Sequence, residues 1–293
     1  IGILQYVEHE ALDAAREGFI DALDENGYKD GEKVSIDVQN AQADASNLTT
    51  ISDRFVSSNV DLILAIATPA AQNIAGKTTE IPILGTAITE YEVARLVESN
   101  EAPGGNVTGT SDLNPVKEQI DLLVTLVPDA ETVGVLYTSK EDNSILQAQL
   151  AKEAIEDLGL TYTEATISDT NEVQQATQSI VGQCDAIYIP TDNNFASAMP
   201  TVQGVTVPAK IPVICGEEGM VKNGGLATYG LNYYDLGYQT GLMAVKVLEG
   251  EAEPATMPVE TAKDLAYAIN GDVAEEIGLE IPADYQQYVI NPE

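Results

Sequence analysis

The stretch LATYGLNYYDLGYQTGLMAVKVLEG, residues 226–250, shows how the domains of this chain are connected. Residues 226–231 are predicted to form a strand, and residues 234–248 a long helix that ends at Gly250. A further strand is predicted at 265–269. These elements are too few for a third domain, so we expect the chain to return here to its first domain.

The residues before this stretch alternate between short apolar, β-branched runs and amphipathic helical patterns. This alternation predicts two runs of βαβα units, each about 110 residues long, and therefore two doubly wound parallel sheets covered by helices. The predicted strands are 1–6, 34–38, 60–67, 81–86, 107–111, 132–138, 162–167, 185–190 and 211–215. The predicted helices are 10–26, 45–59, 69–78, 115–127, 143–158, 171–181 and 193–207.

The fold class predicted is therefore α/β, with two doubly wound lobes joined by a three-segment hinge. We expect lobe 1 to comprise residues 1–111 and 230–266, and lobe 2 residues 112–229 and 267–293. The segment 273–277 then packs on the second lobe. A chain that crosses several times between lobes is expected to leave a ligand cleft beneath the crossings.

The charge restricts the classes of partner. The 293 residues include 47 Asp and Glu but 13 Lys and Arg, which gives a formal net charge of -34. Such a surface repels nucleic acid and anionic membrane surfaces, so neither is an expected partner, and the charge itself favours solubility. No apolar run reaches the length of about 18 residues that a membrane span needs. The chain opens directly on a predicted strand, which fits either an export signal already removed or a cytoplasmic protein.

The motifs that would indicate an enzyme are missing from the sequence. No dinucleotide fingerprint, phosphate loop or nucleophile elbow is present, and His9 is the single histidine. Cys184 and Cys215 lie at the edges of apolar runs, where buried free thiols are expected and a disulfide is the alternative. We therefore expect no cofactor, no metal and no catalysis.

The loops after the parallel strands are the expected binding site, because ligands bind beyond the carboxyl ends of such strands. Several of these loops lead into helix starts, where N–H groups favour an anion, so Thr68 and Ser144 suit a carboxylate. Asp192 suits an ammonium group; Glu141 and Glu217 are weaker candidates, since most glutamates of an acidic chain are solvated. Simple helix capping is the alternative for Thr68, Asn143 and Asp192, and packing is the alternative for the tyrosines. The candidate ligand-binding residues are Gln5, Tyr6, Thr68, Pro69, Ala70, Thr86, Ala87, Tyr137, Glu141, Asn143, Ser144, Asp192, Asn193 and Glu217.

Five stretches resemble the substrate-binding lipoproteins of bacterial ABC importers, in the branch whose members bind aromatic amino acids such as tryptophan or tyrosine. They are ILAIATPAAQ (63–72), PGGNVTGTSD (103–112), GVLYTS (134–139), DAIYIPTDN (185–193) and GGLATYGLNYYDLG (224–237). The resemblance covers nearly the whole chain. It implies a type I periplasmic-binding-protein fold that is exported, usually lipid-anchored, and hands its ligand to a membrane permease. The positions that match the family's site are Thr68, Pro69, Ala70, Thr86, Ala87, Asn143, Ser144 and Asp192.

The predicted function is therefore that of a monomeric, extracytoplasmic substrate-binding component of an ABC importer. The combination of a carboxylate site and an ammonium site predicts a zwitterionic amino acid. Tyr6, Tyr137 and Tyr229 offer aromatic faces, which favours tyrosine, tryptophan or phenylalanine over the aliphatic amino acids. A ligand-sensing receptor domain of the same fold, binding another small molecule, is the alternative.

Overall fold

The computed structural model describes residues 1–262 and 264–292. They form two compact units, Ile1–Leu113 with Asn232–Asp264 and Asn114–Leu231 with Leu265–Glu293. The chain therefore passes from one unit to the other three times. The α/β fold class predicted from the sequence is confirmed, since each unit is a sheet of mainly parallel strands with helices between them.

Unit 1 is built on a six-stranded, wholly parallel sheet. Its strands are β1 (Gly2–Gln5), β2 (Asp37–Asn40), β3 (Ile63–Ile66), β4 (Ile83–Ile88), β5 (Val107–Ser111) and β11 (Glu260–Thr261), in the spatial order β11-β5-β4-β3-β1-β2. Its helices are α1 (Glu10–Glu25), α2 (Ala45–Ser57), α3 (Thr68–Ala75) and α10 (Tyr233–Leu248). β3 and β4 are wholly buried, as apolar strands covered on both faces should be.

Close contact with α1 holds α10 in unit 1. A Cβ atom on Gly237 would overlap the carbonyl oxygen of Ala15, and one on Gly18 would overlap that of Tyr234. Glycine at these positions lets the two helix backbones approach closely. Phe19 and Leu23 of α1 are fully buried in the same core as Leu236 of α10. Packing of this kind stabilises the helix by the burial of its apolar face.

Unit 2 is built on a seven-stranded sheet of order β13-β12-β10-β9-β8-β6-β7. Its strands are β6 (Thr132–Thr138), β7 (Thr161–Ile167), β8 (Ala186–Ile189), β9 (Val213–Cys215), β10 (Ala227–Leu231), β12 (Leu265–Asn270) and β13 (Val289–Ile290). Its helices are α4 (Val116–Leu126), α5 (Asp142–Asp157), α6 (Val173–Ile180), α7 (Asn193–Ser197), α8 (Met199–Ala209), α9 (Glu218–Lys222) and α11 (Gly271–Ile277). Short 3-10 helices lie at Thr170–Glu172 and Ala283–Tyr288, with a third, Pro254–Thr256, in unit 1.

Two strands of unit 2 run against the others: β12 is antiparallel to β10, and β13 is parallel to β12. The chain leaves this sheet after Leu231 and re-enters at Leu265, and these two residues face each other across the strand pair. A strand that re-enters beside the end of its neighbour, with no helix crossing back over the sheet, must run in the opposite direction.

Several predicted elements differ from the structure. The strand expected at 34–38 is found at Asp37–Asn40, after a turn. The single helix expected over 193–207 is two helices, α7 and α8, because Pro200 lies in the first turn of α8 and favours a new helix start. β4 continues to Ile88, so Thr86 and Ala87 lie within a strand and not in a loop. α9 and the two-residue strands β11 and β13 were not predicted, since each is too short to show a periodicity.

Candidate functional site

A pair of buried acids lies where β6 and β8 end, on adjacent strands of the unit 2 sheet. Glu141 directly precedes α5 and is 3% exposed; Asp192 directly precedes α7 and is 1% exposed. Both positions agree with the expectation that polar groups gather beyond the carboxyl ends of parallel strands. Buried carboxylates of this kind need hydrogen bonds or a counter-charge to be stable.

Neutral donors surround Glu141. Its Oε1 accepts a hydrogen bond from Asn194 Nδ2 (2.7 Å), and its Oε2 accepts from Asn193 Nδ2 (2.6 Å) and Asn143 Nδ2 (3.2 Å). The backbone N–H of Asn193 donates to the same carboxylate. None of the ion pairs found among residues 1–262 and 264–292 includes Glu141. Its carboxyl group is therefore surrounded by rotatable side-chain amides and has no ion-pair partner in this part of the chain.

Asp192 is held by the backbone and by hydroxyl groups. Its Oδ2 accepts from Thr138 N (2.6 Å), and its Oδ1 accepts from Thr138 Oγ1 (2.8 Å) and from Phe195 N at the start of α7 (3.0 Å). The Ser144 hydroxyl is a fourth partner. A carboxylate has about four acceptor directions, so Asp192 is saturated by groups that fix it in place. The capping role weighed for Asp192 from the sequence is present in the structure.

Burial and like charge raise the pKa values of both acids. Desolvation is the main cause at Glu141, and the neighbouring charge of Asp192 adds to it, raising the pKa of Glu141 to about 8. Desolvation also raises the pKa of Asp192, while its hydrogen bonds oppose the change. Two close carboxylates without a cation disfavour double ionisation. The arrangement would be stabilised by a bound positive charge.

Asn143 adds an acceptor without a partner. Its Oδ1 is buried and accepts no hydrogen bond, while its Nδ2 makes three long ones, to Glu141, Ser144 Oγ (3.3 Å) and Thr191 O (3.3 Å). A buried polar atom that lacks a partner is uncommon and calls for an explanation, such as a ligand. Asn143, Ser144 and Asn193, three of the candidates from the sequence, therefore lie around the acid pair.

A second polar group without a hydrogen-bond partner lies in unit 1, at the start of α3 and beyond the carboxyl end of β3. Thr68 is buried, and its Oγ1 neither donates nor accepts a hydrogen bond. Pro69 follows in the first turn, and the N–H groups of Ala70 and Ala71 turn back to the carbonyl of Ala67. An unused hydroxyl beside a helix N-terminus is suited to an anionic group.

Backbone strain marks the same edge. Ala67, immediately after β3, has φ of 81° and ψ of 151°, and Ala87 in the neighbouring strand β4 has φ of 54°. Gln42 and Ala43, after β2, also have positive φ values. Non-glycine residues in such conformations cost of order 1 kcal/mol or more each and concentrate at functional sites. Sequence reasoning missed Gln42 and Ala43, since no side-chain pattern signals a positive φ.

Gln5 and Thr86 have partners that leave little for a ligand, and Tyr6 is largely buried. Gln5 is buried, and its amide binds Val7 O, Asp13 and Arg16, which fixes the loop after β1. The Thr86 hydroxyl belongs to a row of buried hydroxyl groups, and its Oγ1 lies 3.3 Å from Thr110 Oγ1. Tyr6 lies 9% exposed in the unit 1 core.

Two further candidates lie apart from the acid pair. Tyr137 donates to Glu164 (3.3 Å), which also accepts from Tyr162, and so belongs to a group on β6 and β7. Glu217 caps α9 by accepting from Gly219 N (2.5 Å) and Met220 N (2.8 Å). Asn194 was missed as an individual residue. Its sequence neighbourhood places it in a candidate loop, but only the fold brings it to Glu141.

Within residues 1–262 and 264–292, no group of three or more His, Cys, Asp or Glu side chains could hold a metal ion. Both cysteines, Cys184 and Cys215, are buried free thiols. No helix in this part of the chain is long and apolar enough to cross a membrane.

Comparison with known proteins assigns the family. Two doubly wound α/β units joined by three chain crossings define a type I periplasmic-binding-protein fold. The profile of the family described as ABC transporter substrate binding protein matches residues 1–289. The chain belongs to this family, whose members act outside the cytoplasm and bind their substrates without transforming them.

Three similar proteins are informative. A tyrosine-binding protein of Clostridioides difficile is 43% identical over 294 residues, which cover 100% of this chain and 85% of that protein. The ABC domain of Streptococcus pneumoniae in complex with L-Trp is 40% identical, with a TM-score of 0.95 over 99% of this chain and 98% of that one. The ligand-free, open structure of a substrate binding protein with adhesive properties from Clostridium difficile is 45% identical, with a TM-score of 0.75 over 100% and 99%.

Proposed function

We propose that this protein binds a zwitterionic aromatic amino acid and delivers it to a membrane-embedded ABC permease. The observation that carries the proposal is the buried Glu141 carboxylate, which has neutral partners and a second acid, Asp192, beside it. A ligand ammonium group is a cation with several donors and would neutralise this site. The relatives that are described with tyrosine or with L-Trp support the aromatic class.

The opposite end of the ligand is assigned to unit 1. The unpartnered Thr68 hydroxyl and the start of α3 suit the α-carboxylate. A dicarboxylate or a phosphate would bring excess negative charge to a chain of net charge -34.

The ammonium contact is proposed for Glu141 ahead of Asp192. Three of the four donors to Glu141 are side-chain amides, which can rotate away, whereas Asp192 is fixed by two backbone N–H groups. Asp192 then acts by orienting the loop and by adding negative charge. Tyr6 stays the aromatic candidate for the ligand ring, because Tyr229 is stacked on Tyr267 at 4.3 Å and Tyr137 is bound to Glu164.

A thermal-shift screen of the twenty amino acids, glucose and succinate tests the proposal. A ligand at a hundred times its dissociation constant stabilises the folded state by about 2.7 kcal/mol. We expect tyrosine, tryptophan or phenylalanine to raise the melting temperature most, and glucose and succinate to have no effect. A shift produced by a sugar or a dicarboxylate and by no amino acid would refute the proposed ligand class.

The remaining parts of the proposal concern location and assembly. The full-length protein is proposed to be lipid-anchored at the outer side of the membrane and to work as a monomer. These two features follow from the family resemblance and are tested by labelling with a lipid precursor in cells and by light scattering of the purified protein.

A further inference from the structure

We propose that the ligand's ammonium group displaces a proton from the Glu141–Asp192 pair, so that binding releases one proton to solvent. This inference rests on the proposed function, because it requires a cationic group on the ligand. It goes beyond that function in making the affinity depend on pH within the neutral range.

The geometry leaves the pair without a compensating cation. Asp192 is the charged group that acts on Glu141. Lys140 precedes Glu141 but lies exposed, and Asp142, at the start of α5, is another carboxylate. The 3-10 helix Thr170–Glu172, which contacts α7, contributes further acids, Glu172 and the preceding Asp169. The charged groups named here beside the pair are therefore acidic, apart from the exposed Lys140.

The Asn143 side chain can accept a hydrogen bond from a protonated Glu141. Asn143 Nδ2 lies 3.2 Å from Glu141 Oε2, while Asn143 Oδ1, on the same amide, is buried without a partner. The two ends of an asparagine amide are assigned from their neighbours, and a half-turn would exchange them. The amide oxygen would then accept a hydrogen bond from a protonated Glu141 carboxyl, and the long hydrogen bond from Asn143 Nδ2 to Thr191 O (3.3 Å) would be given up. The same side chain can thus serve the protonated acid before binding and the carboxylate afterwards.

The exchange conserves charge and atoms. Before binding, the carboxyl group of Glu141 carries a proton, in keeping with its raised pKa of about 8. On binding, the O–H bond of the Glu141 carboxyl group breaks and its proton passes to water. The resulting carboxylate accepts hydrogen bonds from the ligand's N–H groups. The ligand ammonium favours the ionised form and lowers the pKa of the acid, so the proton is released near pH 7.

Titration calorimetry in buffers of different ionisation enthalpy counts this proton. With L-tyrosine or L-tryptophan as the probe at pH 7, we expect release of close to one proton per ligand. Glu141→Gln keeps the shape of the side chain but cannot ionise, so its binding should release none. Glu118→Gln, on the exposed face of α4, is the matched control and should behave as the wild type.

The outcomes separate this inference from the proposed function. Binding whose heat is independent of the buffer, or equal proton release by wild type and Glu141→Gln, overturns the inference and leaves the function standing. Failure of every amino acid to bind overturns the function itself. If Glu141→Gln does not bind at all, the wild-type affinity decides: a rise of up to about tenfold per pH unit between pH 6 and 7.5 supports proton release, and a constant affinity contradicts it.

Discussion

Asp192 and Thr138 are joined twice: the Thr138 N–H donates to Asp192 Oδ2 at 2.6 Å, and its hydroxyl donates to Oδ1 at 2.8 Å. The same carboxylate caps α7 through Phe195 N. One acid therefore connects the end of β6 with the start of α7, and it positions the loop that carries Asn193 and Asn194. Asp192 therefore has a structural role in addition to the role in binding that is proposed for it.

Replacement of Asp192 should consequently reduce stability. Asp192→Ala removes a helix cap, which costs about 1 kcal/mol, and leaves buried donors of Thr138 without partners, which costs about 1–3 kcal/mol more. We expect the free energy of unfolding from urea titration to fall by about 2 kcal/mol or more. Asp169→Ala, which removes an exposed cap that accepts from Asn171 N, is the control and should cost less than half as much. Equal losses in the two variants would contradict the assignment.

Thr68 should behave in the opposite way. Its Oγ1 is buried without a partner, so Thr68→Val removes a polar group that gains nothing from folding. We expect unfolding stability that is unchanged or higher by about 1 kcal/mol, together with affinity for the amino acid lowered about tenfold. Thr177→Val is the matched control, because the Thr177 hydroxyl is bonded to Val173 O. That variant should lose stability and keep affinity; unchanged affinity in Thr68→Val would remove Thr68 from the site.

The raised pKa of Glu141 predicts a pH dependence of the unliganded protein. Its ordinary value is 4.5 and its folded value about 8, so the folded state holds a proton that the unfolded state has released between these pH values. Stability falls with rising pH wherever the folded state binds more protons. The wild type should therefore lose stability relative to Glu141→Gln from pH 5 to pH 8, as urea midpoints would show. A difference between the two proteins that does not change with pH would contradict the raised pKa.

The three chain crossings predict a change of shape on binding. The chain passes between the units after Leu113, after Leu231 and after Asp264, and short connections of this kind commonly act as hinges. If the ligand contacts both units, it favours a closed form. Small-angle scattering should then show a smaller radius of gyration at ligand saturation. A radius of gyration that stays constant while the ligand is bound would count against closure.

Local sequence patterns predicted most of the strands and helices, because apolar runs and helical periodicity are local properties. They failed where a turn or a proline intervened, as at 34–38 and at Pro200. The strand-end rule placed Thr68, Asn143 and Asp192 beyond the carboxyl ends of strands, and in the structure all three lie at the starts of the helices that follow β3, β6 and β8. It could not show that Thr86 and Gln5 are occupied by Thr110 and Arg16, since hydrogen-bond partners distant in sequence are set by the fold.

Glu141 illustrates the same limit. The sequence ranks it below Asp192, because a glutamate in a chain of net charge -34 is normally solvated. The structure buries it to 3% exposure and surrounds it with three asparagine amides. Two of these asparagines come from α7, some fifty residues further along the chain, so no local pattern connects them with Glu141.

Titration calorimetry with modified ligands tests whether the protein recognises both charged ends of an amino acid. L-tyrosine, or L-tryptophan if it binds more tightly, is compared with its N-acetyl derivative, which has no ammonium group, and with its amide, which has no carboxylate. Loss of one partner of a desolvated charge pair costs about 2–5 kcal/mol, so each derivative should bind at least about thirtyfold more weakly than the parent. If the N-acetyl derivative or the amide binds as tightly as the parent amino acid, the protein does not recognise both charged ends of its ligand.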